Sequence, residues 1–185
     1  MKVLITGNRK KDLCAEVVKL LEARGHECTC VSRETGYDFS SDDALHAVVK
    51  LSDNHDVFIN MYAGFFFKAS VLALKVQNRW HQKGLSDRRI INIGSTTDRV
   101  KKGKTKLYHY EKLALRDLSS GLSLVGVWEK GPKVSHISFG TLSNRTAENP
   151  GRKCIDMAVA AKYVMWLLEQ PPEISVNEIS VDPVQ

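Results

Sequence analysis

Short apolar runs of strand type alternate with segments of helical apolar spacing along the whole chain. That alternation restricts the fold more than any other feature. The strand-like runs fall at 2–6, 27–32, 56–60, 89–93, 133–138 and 178–181, and helical segments at 12–24, 42–52, 66–82, 106–119 and 154–169 lie between them. In the first helical segment, Leu13, Val17, Val18, Leu20 and Leu21 suit packing on a sheet, and Gly25 is placed as its stop. Ser41 or Asp42 caps the second. The last carries Met157, Ala160, Ala161, Val164, Leu167 and Leu168 on its apolar side and ends before Pro171 and Pro172. Strand and helix in regular succession build βα units, a mainly parallel sheet and right-handed crossovers. The expected fold class is α/β, with helices on both faces of the sheet. No repeat, low-complexity stretch or linker divides the 185 residues, so 1–185 reads as one domain.

Composition narrows the function. Hydrophobic residues make up 43% of the chain, yet no apolar run approaches the ~20 residues that cross a membrane. The apolar stretch at 1–6 is too short for a secretion signal, and the expected location is the cytoplasm. Cys14, Cys28, Cys30 and Cys154 form no Cys-x-x-Cys pair, so they read as small apolar residues in a reducing compartment and not as metal ligands. The net charge is +6, concentrated in Arg9-Lys10-Lys11, Arg88-Arg89 and the polar loop 98–106. These clusters are not interleaved with aromatics and carry no nucleic-acid-binding signature, so a phosphorylated cofactor explains them better than nucleic acid.

Tyr108 and Lys112 lie four residues apart, one helical turn, and so project from one helix face. A phenol has a reference pKa near ~10 and is a poor acid-base catalyst at neutral pH. A fixed ammonium beside it favours the phenolate. Ser95, thirteen residues upstream at a strand end, offers a hydroxyl to hold a carbonyl in front of that phenol. The set is equipped to move a proton while a hydride moves elsewhere. Tyr110 has no lysine four residues on and reads as a packing or pocket residue, and His109, one step off the Tyr108 face, reads as exposed.

These residues resemble the short-chain dehydrogenase/reductase family, NAD(P)-dependent oxidoreductases with a Rossmann-type doubly wound sheet. Val3-Leu-Ile-Thr-Gly7 resembles the family's first strand and turn, Asn60-Met-Tyr-Ala-Gly64 its Asn-Asn-Ala-Gly segment, and Ile90-Ile-Asn-Ile-Gly-Ser95 the strand that ends in the catalytic serine. Tyr108 and Lys112 match Tyr-x-x-x-Lys, and Val134 to Gly140 resembles the strand leading to Pro-Gly, with Phe139 in place of the proline. The resemblance implies that Tyr108 is the acid/base, that Lys112 lowers its pKa and binds the nicotinamide ribose, and that Ser95 orients a carbonyl or alcohol substrate. It implies further cofactor contacts from Asp38 beside the adenine, from Asn60, Tyr62, Ala63 and Gly64 after the third strand, and from Gly140, Thr141 and Leu142 near the nicotinamide.

The phosphate loop departs from the family pattern. Gly7 remains, but Lys11 and Leu13 stand at the later glycine positions. Binding there falls to Gly7, Asn8, the helix-terminal amides up to Leu13, and the charges of Arg9 and Lys10. The segment between Asn60 and Ser95 is short, and the asparagine that the family often carries on the intervening helix has no clear counterpart. At the end of the second strand stand Ser32 and Arg33, where a carboxylate would favour NAD. A guanidinium and a hydroxyl suit a 2′-phosphate, so NADP is favoured over NAD. The leading expectation is an NADP(H)-dependent oxidoreductase. The alternative is a weakly catalytic NADP-binding sensor on the same fold. The resemblance also implies a homodimer or homotetramer through the helices at 66–82 and 106–119, where Val71, Leu72, Leu74, Lys75, Arg79 and Trp80 either form such a surface or simply face the sheet.

Overall fold

A computed structural model describes residues 1–64, 66–99 and 106–184. Most of the basic loop expected at 98–106 therefore lies outside the described residues. The elements run β1 (Lys2–Thr6), α1 (Asp12–Ala23), β2 (Glu27–Val31), α2 (Asp42–Leu51), β3 (Val57–Asn60), α3 (Lys68–Gln82), β4 (Arg89–Ser95), α4 (Leu107–Trp128), β5 (Lys133–Phe139), α5 (Met157–Leu168) and β6 (Glu178–Val181). The strands form one six-stranded sheet in the order β2-β1-β3-β4-β5-β6. Every neighbouring pair is parallel.

Apolar residues alternate between two cores, as expected of strands buried on both faces. Val3, Ile5, Val57, Ile59, Ile91, Ile93 and Ile137 face α1 and α5. Leu4, Phe58, Ile90 and Val134 face α2, α3 and α4, where Trp80 is fully buried. The sheet is thus wound on both faces, and the strand order reverses between β1 and β3. In open sheets of this kind ligands bind beyond the carboxyl ends of the strands at that reversal.

The commonest such order places a third strand outside β2. Here the chain turns back too soon. Ser32 N donates to Thr35 Oγ1 at 2.8 Å, Thr35 N donates to Ser32 O at 3.0 Å, and Gly36 takes a φ of 88°. The chain then enters α2, capped by Ser41, whose hydroxyl accepts from Asp43 N at 3.2 Å. The edge β2 is left open by a shortcut at 32–41.

Other boundaries differ from the sequence reading for local reasons. Phe66 and Phe67 adopt φ of 65° and 56°, so α3 starts at Lys68. α4 continues past Ser119 to Trp128. Its Gly126 allows close packing, since a Cβ there would lie 2.6 Å from Pro132 O. Asp156 caps α5, accepting from Ala158 N at 2.8 Å and Val159 N at 3.3 Å. Of the α3 residues expected on a subunit surface, Leu72 and Trp80 are core, and Arg79 Nε is bound to Asp53 at 2.6 Å. Leu74 is exposed. No helix among the described residues is long and apolar enough to cross a membrane.

Candidate active site

At the β1/β3 reversal lies an open cleft of about 240 Å³. It is lined by Gly7, Ser32, Arg33, Asp38, Tyr62 and Ala63, all expected from the sequence, and also by Thr6, Val31, Tyr37, Phe39 and Met61. Thr6 builds the floor. Its Oγ1 accepts from Met61 N at 2.8 Å and Tyr62 N at 3.1 Å, tying the turn after β3 to the end of β1. Tyr62 packs on Phe39 with ring centroids 4.8 Å apart, giving an apolar wall that suits a flat ring. The aromatic partner Phe39 was not legible because it arrives from the shortcut after β2.

Several expected contacts are placed differently. Asn60 is fully buried and does not face the cleft. Its Nδ2 donates to Ala69 O at 2.9 Å and Asn92 Oδ1 at 3.0 Å, and Asn92 Nδ2 donates to Ser119 Oγ at 3.0 Å. Asn60 therefore fixes the turn that carries Met61 to Gly64. Ser32 Oγ donates to Glu34 at 2.9 Å and is not free for a phosphate. The Arg9 guanidinium turns back to Glu22 and to Cys28 O, the latter at 3.2 Å. Leu13 sends its side chain into the core, leaving its amide in the first turn of α1. Asn8 Oδ1 accepts from Lys10 N at 2.9 Å, and the Lys10 side chain is exposed. Glu34, held by its own backbone, Ser32 and Asn8, has its carboxyl lowered to about 2 and pairs with Lys11 at 3.5 Å. Gly7 lets the turn after β1 pack closely on α1, since a Cβ there would lie 2.9 Å from Cys14 Sγ.

The acid-base residues converge at the far side of the sheet's carboxyl edge. Ser95 ends β4, and Tyr108 approaches it from the first turn of α4, so that the Ser95 hydroxyl acts to lower the phenol. Burial pushes the Tyr108 phenol upward, opposed by the Ser95 hydroxyl and by the charge of Arg145. Lys112 is buried, and its Nζ donates to Ile93 O at 2.9 Å. That ammonium lies 5.7 Å from the centroid of the Tyr108 ring, over the ring and not at its hydroxyl. The expected lowering of the phenol by Lys112 is therefore not the dominant effect. Burial lowers Lys112 itself to about 8, against the raising influence of Asp98 and Glu111. One ammonium proton is committed to Ile93 and two remain for a ribose or a water.

His109, expected exposed, is buried and donates from Nδ1 to Thr97 O at 2.7 Å, which pins the turn after Ser95 to α4. Tyr110 is half exposed and meets His109 edge-on. Gly64 lies against Tyr62, whose hydroxyl a Cβ there would overlap, beside a small recess shared with Tyr108 and Lys112. Gly140 N donates to Val181 O at 2.8 Å, and Thr141 O accepts from Ile155 N at 2.8 Å. Leu142 bridges to Ile155, so the loop after β5 is braced at the same edge. Asn144 Nδ2 then donates to Asp12 Oδ1 at 2.9 Å, joining that loop to the start of α1. Among the described residues no cluster of His, Cys, Asp and Glu is arranged to hold a metal ion.

No protein-family model matches the chain. It is 33% identical, over 187 residues, to an uncharacterized oxidoreductase of Staphylococcus aureus (strain MW2), a match that covers 100% of this chain and 77% of the relative. Its backbone is similar to that of ElxO with NADP bound, with a TM-score of 0.78 at 19% identity over 98% of this chain and 96% of that one. It is also similar to a short-chain dehydrogenase/reductase from Serratia marcescens, with a TM-score of 0.71 at 20% identity over 98% of this chain and 94% of that one. The backbone agrees with these solved structures, and the chain belongs to the short-chain dehydrogenase/reductase family of oxidoreductases.

Proposed function

We propose that the protein is an NADP(H)-dependent reductase of a small carbonyl substrate, or a dehydrogenase of the corresponding alcohol, with Tyr108 as the acid/base. The observation that carries this reading is the convergence of Ser95 and Tyr108 at the carboxyl edge of the sheet, with the buried Lys112 ammonium over the Tyr108 ring. The cofactor site fits on its own geometry. The cleft has an aromatic wall and a basic rim, and the close-packed Gly7 leads into the free amides of α1. A cofactor held there by Gly7, Arg33 and Tyr62 would supply a hydride to a carbonyl carbon. Ser95 donates to the carbonyl oxygen and stabilises its developing charge. Tyr108 gives up its phenolic proton to that oxygen. Lys112 holds positive charge behind the ring and supports the anionic phenol that results.

The preference for NADP rests on Arg33 and on the similarity to a structure that holds NADP. Arg33 is extended, its side chain 83% exposed and 3.9 Å from Asp38. Arg33→Ala is expected to raise the Kd for NADPH about tenfold, the worth of one charge-assisted contact, and to leave NADH within about twofold. Fluorescence titration of both nucleotides measures this, and equal losses for the two would contradict it.

The sensor reading draws on the phosphate loop, where Arg9 is committed to protein partners, and on the end of β2, where Ser32 is bound to Glu34. A panel of aldehydes and ketones separates the two readings: steady NADPH oxidation supports the reductase, and binding without turnover supports the sensor. For assembly, Leu74 on α3 and Leu113 and Leu124 on α4 are exposed apolar residues. We expect a dimer or tetramer by size-exclusion chromatography with light scattering, and a monomer at micromolar concentration would contradict this.

A further inference from the structure

Beside Gly94, between β4, β5 and α4, lies a polar cluster that the proposed reaction does not use. Asp98, His136 and Ser138 are 3%, 1% and 0% exposed. Ser138 Oγ donates to Asp98 Oδ2 at 2.6 Å. His136 Nε2 lies 3.1 Å from that same oxygen and 3.1 Å from Ser138 Oγ. Because Ser138 spends its proton on Asp98, His136 Nε2 must carry the proton that serves both contacts. Asp98 Oδ1 and His136 Nδ1 are buried with no hydrogen-bond partner among the described residues. Burying an under-satisfied carboxylate is costly, and such groups are retained where their charge has a use.

The cluster sits where that use is evident. A Cβ on Gly94 would overlap His136 Nε2 and lie 2.9 Å from Ser138 Oγ, so the cluster fits only because residue 94 has no side chain. Gly94 separates Ser95, the partner of Tyr108, from Ile93, whose carbonyl accepts the Lys112 ammonium. Asp98 is reached from Ser95 by a single tight turn, Thr96–Arg99, which His109 pins to α4.

We propose that the buried Asp98–His136–Ser138 cluster supplies the counter-charge that holds the Lys112 ammonium in place behind Tyr108, making Asp98 and His136 positioning residues that act without meeting the substrate. The proposal rests on the reductase reading above. Other charges near Asp98 have partners of their own. From α4, Arg116 is paired with Glu178 of β6 at 2.8 Å, and on its own turn Arg99 is paired with Asp182. Glu111 also faces Lys112, but its Oε1 accepts from Phe67 N at 3.0 Å. Lys112 itself has the buried end of its chain bonded to a main-chain carbonyl and not to a carboxylate, so its charge depends on a field from nearby. Asp98 is the stronger raising influence on Lys112, ahead of Glu111. Burial alone would raise the Asp98 carboxyl, but the bonds from His136 and Ser138 outweigh it and keep the carboxyl below its ordinary value, and so charged at neutral pH.

The test is the pH profile of kcat for NADPH-dependent carbonyl reduction. In the wild type the alkaline limb is expected to report loss of the Lys112 ammonium, which burial lowers to about 8 in the free protein. Asp98→Asn removes the supporting charge, so the limb moves to lower pH. At pH 8 kcat falls roughly threefold to tenfold, while at pH 6 it stays within about twofold. Asp98→Glu restores the limb, and Glu111→Gln moves it less than Asp98→Asn does. A uniform loss of kcat with an unmoved limb means a packing role only and overturns the proposal, as does a larger shift for Glu111→Gln. If Asp98→Asn does not fold, Gly94→Ala takes its place: it displaces the cluster without removing a charge, and an unmoved limb again overturns the proposal. Absence of NADPH turnover in the wild type would overturn the reductase reading itself, an outcome distinct from turnover with an unmoved limb.

Discussion

Replacing Tyr108 with phenylalanine is expected to cut kcat by about 10²- to 10⁴-fold, the usual worth of a positioned acid. The substitution removes one oxygen and leaves the ring over Lys112. Cofactor affinity rests on the cleft at the sheet reversal and on Arg33, so the Kd for NADPH is expected to change by less than about threefold. Single-turnover kinetics beside a binding titration read both quantities. A variant that reduces substrate at the parental rate would remove Tyr108 from the role assigned here.

Lys112→Met is expected to make the protein more stable and nearly inactive. The buried ammonium titrates near 8 where an ordinary lysine titrates at 10.5. In that interval the unfolded chain binds a proton that the folded chain does not, so folding stability rises with pH between them. Below about pH 8 both states are charged, and the folded state bears the full cost of burying the charge. The gap corresponds to roughly 3 kcal/mol at ~1.36 kcal/mol per tenfold. Losing the donor to Ile93 O takes back about 1 kcal/mol, leaving a gain of about 2 kcal/mol at pH 7. For a chain of this size that raises Tm by about 4–8 °C, while kcat drops on the order of a hundredfold. The stability gain should vanish as pH approaches 10.5. A destabilised Lys112→Met variant at pH 7 would mean that the ammonium is not buried at a cost. The opposed signs on stability and activity are what a site retained for function, and not for folding, should give.

Which parts of this were legible in the sequence follows from how far the determinants reach. Strands buried on both faces read as continuous apolar runs, so the six strands and the βα order were visible. Tyr108 and Lys112 are one turn apart, and their shared helix follows from spacing alone. The helical segment expected at 106–119 extends in the structure to Trp128. The helix continues because Ser119 and Ser123 donate back to Leu115 O and Ser120 O, at 2.6 and 2.7 Å. The roles of Asn60 and Arg9 were not legible, since they are decided by partners distant in sequence, Asn92 and Ala69 for one and Glu22 and Cys28 for the other. The same holds for Asp98 and His136, which are 38 positions apart and meet only once β4 and β5 are paired. The site's acid-base end was thus readable from local pattern. The phosphate-binding end was not, because there the fold has assigned its polar side chains to one another.

The account stands most directly on whether the wild-type protein turns over NADPH. Oxidation of NADPH should be followed by its absorbance with a panel of small aldehydes and ketones near pH 7, and the alcohol product quantified. The account predicts sustained oxidation with one alcohol formed per NADPH consumed. Tight NADPH binding with no alcohol formed across the panel would contradict it.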